Sequence, residues 1–74
     1  EYEDVIIGAR RNIEDEPHLF ENYLILMIAL EHSEENAGEC AELLEKAKTA
    51  NHNGYDIEET LQWLRAPLTA PKNY

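Results

Sequence analysis

The stretch Leu19-Phe20-Glu21-Asn22-Tyr23-Leu24-Ile25-Leu26-Met27-Ile28-Ala29-Leu30 decides how this chain folds. Its last eight side chains, Tyr23 to Leu30, are apolar without interruption. That run is far short of the ~18 residues needed to cross a bilayer, and it has no basic flank to mark an export signal. Wound as a helix, it carries apolar side chains on nearly every face. A helix without a polar face has to be covered from several sides. The stretch therefore predicts a central helix from about Pro17 to Glu31, with Pro17 in the first turn, where its missing N–H is not needed.

Shorter amphipathic segments lie on both sides of it. Before it, Tyr2, Val5, Ile6, Ala9 and Ile13 recur at helical spacing, and Glu3 and Asp4 suit the positive end of a helix dipole. Gly8 weakens that helix by ~1 kcal/mol against alanine, and close packing of a neighbour over Gly8 is expected. After the central helix, Ser33 reads as an N-cap for a third helix over about Glu34–Asn51. Ala37, Cys40, Ala41, Leu43, Leu44, Ala47 and Ala50 form its inner face. Asn51-His52-Asn53-Gly54 then reads as a stop, with Gly54 left-handed. Asp56 and Glu59 have capping-box spacing ahead of a fourth helix, whose stripe is Ile57, Leu61 and Leu64 and which Pro67 ends near Arg65. The expected architecture is all-α. Residues 1–66 form a compact bundle of three to four helices, and residues 67–74 an extended C-terminal tail. The expected core is Ile6, Phe20, Leu24, Ile28, Leu44, Leu61 and Trp63.

Charge is the main clue to function. The 74 residues hold sixteen acids and six Lys or Arg, for a formal charge of −10. Residues 1–45 contain thirteen of the acids and only Arg10 and Arg11 as bases. Such a surface repels nucleic acid and anionic lipid and attracts basic protein surfaces. Glu35, Glu39, Glu42 and Glu45 fall along one face of the third helix, with Glu31 and Glu34 just before. Together they predict a carboxylate ridge, provided that Arg10, Arg11 and the lysines do not neutralise it. Tyr55, beside Gly54, is the expected exposed aromatic.

Catalytic and metal-binding patterns are sparse. No Cys-x-x-Cys or His-x-x-x-His pair occurs among Cys40, His18, His32 and His52, and no glycine-rich phosphate loop is present. Cys40 falls on an apolar helix face near carboxylates, which raises a thiol pKa. A bundle of this size is also expected to leave little room for a pocket of ~300 Å³. The expectation is a non-enzyme without cofactor or metal. It is cytoplasmic, since one cysteine cannot form an internal disulfide.

The reading is an acidic protein-binding module, a small regulator or inhibitor docking on a basic surface of a partner protein through Glu31, Glu34, Glu35, Glu39, Glu42, Glu45 and Tyr55. It implies no direct nucleic-acid or membrane binding, and a monomer or weak homodimer. Small acidic phage-encoded inhibitors and bacterial immunity proteins are analogues of this type. Self-assembly through the apolar excess of the second helix is the alternative. Another comes from Asn53-Gly54-Tyr55-Asp56-Ile57-Glu58-Glu59-Thr60-Leu61-Gln62-Trp63-Leu64, which resembles the last loop and helix of ubiquitin-associated domains. That resemblance implies a ubiquitin-binding module. The Met-Gly-Phe loop of such domains is missing, and the region before the third helix reads Glu31-His32-Ser33-Glu34-Glu35.

Overall fold

A computed structural model describes the backbone of residues 2–33 and 37–69 and the side chains of residues 3–33 and 38–66. Four helices follow one another: α1 (Tyr2–Asp15), α2 (Phe20–Ser33), α3 (Ala37–Ala50) and α4 (Ile57–Thr69). The fold is the expected all-helical bundle with α2 at its centre. Leu24, Leu26, Met27, Ile28, Ala29 and Leu30 of α2 are all buried. Ala9 of α1, Leu43 and Ala47 of α3 and Leu61 of α4 close on them from the surrounding helices. Each fully buried aliphatic side chain contributes roughly 1.5–3 kcal/mol.

The helices run up-down-up-down, as short connections require. Phe20, at the start of α2, stacks on Tyr55 just ahead of α4, with ring centroids 5.9 Å apart. Near the other end, Glu31 of α2 pairs with Arg65 of α4. Helices α2 and α4 therefore lie side by side and point the same way.

Side chains close the corners. The Asn22 amide donates to the carbonyls of Asn12 and Glu16 at 3.2 and 3.0 Å, joining the Glu16 and Leu19 N–H groups that those carbonyls also accept, and so ties α2 to the end of α1. The Tyr23 hydroxyl donates to the Pro17 carbonyl at 2.6 Å. These ties make Pro17 and His18 a turn, and α2 begins at Phe20, not at Pro17. Ser33 is the last residue of α2, and its hydroxyl donates back to the Leu30 carbonyl at 3.0 Å; the expected start of α3 at Glu34, which Ser33 would cap, lies outside the described residues. At the last corner Gly54 has φ 70°, as the stop signal required. The Asn51 side chain both accepts from the Tyr55 N–H and donates to the Tyr55 carbonyl, at 3.0 and 2.7 Å. Asp56 Oδ1 accepts the Glu59 N–H at 3.1 Å, which is the cap that the Asp56–Glu59 spacing predicted.

Three further expectations are corrected. Trp63 is 73% exposed and lies outside the core. It stands two residues after the buried Leu61, about 200° further round the helix, so the two cannot share a face. Gly8 has nothing within 4 Å of where a Cβ would stand, so no neighbour packs over it. Finally, α4 does not stop before Pro67 but continues to Thr69. The proline removes one N–H, which leaves the Trp63 carbonyl without its helical donor while the chain keeps its helical path. The rest of the expected tail, residues 70–74, lies outside the described residues. Of the other expected core members, Phe20, Leu24, Ile28 and Leu61 are buried, while Ile6 and Leu44 are half-buried against them.

Candidate partner-binding surface

Every described acid of the expected ridge has a base beside it. Arg10 of α1 reaches across to Glu39 of α3 and donates to both carboxylate oxygens, at 2.8 and 3.0 Å. This forked pairing is the strong geometry for arginine and carboxylate. It holds the Glu39 carboxyl below the usual carboxylate range, against a smaller opposing effect of burial, and it raises the Arg10 guanidinium. Glu31 pairs with Arg65 at 2.9 Å. Glu42 lies 3.7 Å from Lys46 and Glu45 lies 3.2 Å from Lys48. Four carboxylates thus face four cations, and this part of the surface is locally neutral. Glu34 and Glu35 lie outside the described residues.

Acids without an ion pair are most numerous on α1, although Glu21, Glu58 and Glu59 also carry none among the described residues. Asp4, Ile7, Arg11, Glu14 and Asp15 recur at steps of three and four residues, so they share the face turned away from α2. All five are exposed, Ile7 by 57%. Glu3 stands beside this face and Glu16 follows it in the turn, both exposed. Among the described residues, Glu3, Asp4, Glu14 and Asp15 carry no ion pair. Glu16 has only the His18 ring, 4.0 Å away. Glu14 and Asp15 occupy the last turn of α1, which contains no basic residue. A carboxylate at that end opposes the helix dipole and costs about 0.3–1 kcal/mol. The apolar spacing in the sequence reaches only to Ile13, so it does not place Glu14 and Asp15 on the helix, whereas α1 continues to Asp15.

The aromatics divide. Tyr55 is exposed, as expected, at 59%, although one face of its ring rests on Phe20. Trp63 stands on the outward side of α4. Cys40 is half-buried and its thiol lies 3.7 Å from the Met27 carbonyl. Burial raises its pKa, and Glu31 and Glu39 add to the rise, so the thiolate is disfavoured. A surface cleft of about 570 Å³ lies between the α1–α2 turn and the end of α3, bordered by Pro17, Tyr23, Glu42, Lys46 and His52. It is larger than the sequence suggested. Its tyrosine hydroxyl is already committed to Pro17. Among the described residues, no three His, Cys, Asp or Glu side chains gather as metal ligands, and no helix is long and apolar enough to cross a membrane.

Comparison of the chain with protein-family models, curated proteins and solved structures finds no match. The function is therefore argued from the residues themselves.

Proposed function

We propose that this chain is an acidic protein-binding module, acting as a small regulator or inhibitor, and that it meets a basic surface of its partner through the outward face of α1. The carrying observation is the placement of Glu14 and Asp15. They sit at the end of a helix where they oppose its dipole, exposed and in no ion pair among the described residues, with Arg11 as the one base on their face. The fold itself draws no stabilisation from them. A cationic partner would relieve both the dipole conflict and the mutual repulsion, and long-range attraction would speed the encounter. Ile7, in the middle of the same face, supplies an apolar contact. The α3 carboxylates named by the sequence take a lesser part, since each described one is already engaged. A cytoplasmic setting belongs to the same proposal.

The test compares two charge reversals. The immobilised protein is used to capture partners from an extract of its source cells at low and high salt. Replacing Asp4, Glu14 and Asp15 with lysine is expected to weaken retention of the captured protein at least about tenfold, or ~1.4 kcal/mol. Replacing Glu42 and Glu45 with lysine should leave most of it. A captured partner held equally by both variants, at all salt concentrations, would overturn the proposal.

A further inference from the structure

Of the three helices that cover α2, α4 is the least firmly committed. α1 and α3 each pack along α2 far more extensively than α4 does. α4 lies chiefly against α2 and seats a single stripe, Ile57, Leu61 and Leu64, of which only Leu61 is fully buried. Among the described residues, two contacts pin its ends. At the start, Tyr55 stacks on Phe20. Towards the end, Arg65 donates to both oxygens of Glu31 at 2.9 and 3.0 Å. An ion pair open to solvent holds weakly, and elements that pack sparsely on their neighbours open first. Residues 51–56, with Gly54 at φ 70°, provide the hinge.

When α4 lifts, it bares an apolar strip on a helix that has no polar face. That strip fits an amphipathic helix with aliphatic side chains at i, i+4 and i+7 and a cation at i+8 that meets Glu31. α4 has this pattern in Ile57, Leu61, Leu64 and Arg65, so the matching occupant is the α4 of a second copy. We propose that two copies of the chain exchange α4, each seating it on the other's α2. Exchange remakes every α4 contact between chains and closes on a two-fold axis, so protein concentration sets the balance between monomer and dimer. This surface is distinct from the acidic face of α1, and the two proposals stand or fall separately.

A charge swap tests the exchange. Glu31→Arg and Arg65→Glu each set like charges against one another at the α4 seat. A variant that exchanges α4 with its own kind recreates the repulsion, whereas exchange between the two variants relieves it at both seats. In an equimolar mixture at high micromolar concentration, sedimentation velocity should show at least about fivefold more dimer than in either variant alone. The chain carrying both changes should behave as the wild type does. A mixture no more dimeric than its parents overturns the proposal. Should circular dichroism show that a single variant does not fold, replacing residues 51–56 with alanine asks the same question. A continuous α3–α4 helix cannot fold back on its own α2, so a stable dimer is expected. A chain that remains monomeric overturns the exchange.

Discussion

α1 and α3 are both fourteen residues long, both lean on α2 and both turn carboxylates outward, yet they treat charge in opposite ways. α3 places Glu39, Glu42 and Glu45 ahead of or beside Lys46 and Lys48, so acid meets base along the helix and the order suits the dipole. α1 begins well with Glu3 and Asp4 but ends on Glu14 and Asp15. Net charge alone does not separate the two. What matters to a partner is the charge left after each helix has paired its own, and that remainder lies on α1.

The sharpest way to break the comparison is to remove what the two helices share. Leu24, 0% exposed, lies in the α2 core between them. Leu24→Ala is expected to cost about 2–5 kcal/mol in urea unfolding and to loosen both helices together. Gly8→Ala tests α1 alone. With open space around the added methyl group, it should raise stability by about 0.5–1 kcal/mol in the same measurement. Asp15→Lys and Lys48→Glu ask whether the ends of the two helices differ as argued. The first should gain and the second should lose about 0.3–1 kcal/mol, read as opposite shifts in melting temperature.

The smallest effect concerns the clasp between the two helices. Arg10 hydrogen bonds depress the Glu39 pKa, so the stabilisation is present at neutral pH and is lost as pH falls through the folded-state value. The pair is partly exposed and screened by solvent. Glu39→Gln should therefore cost only about 0.2–1 kcal/mol at pH 7. The difference from the wild type should close below the usual carboxylate range, as followed by denaturation across an acid series.

Much of this fold was legible because helices write their burial into spacing. The four segments, the central place of α2, the left-handed Gly54 and the Asp56 cap all follow from patterns within a few residues of one another. What was not legible depends on distant partners. Nothing local announces that Asn22 closes the end of α1, and without that tie Pro17 looks like the start of α2. Trp63 was assigned to the core by its size, although its step from Leu61 already placed it on the opposite side. The candidate surface was legible as an amount of charge but not as a location. Arg10 lies twenty-nine residues before Glu39 and Arg65 thirty-four after Glu31, and only the folded chain shows that they meet.

A helix with no polar face also has consequences for synthesis. As the chain leaves the ribosome, α2 is complete before either α3 or α4 exists, so of the three helices that cover it α1 alone can shield it. A nascent or truncated chain ending near Ser33 would expose a strongly adhesive rod. Chaperone dependence and loss to aggregates should therefore peak for products that end between α2 and α3, and fall once Leu43 and Ala47 have emerged.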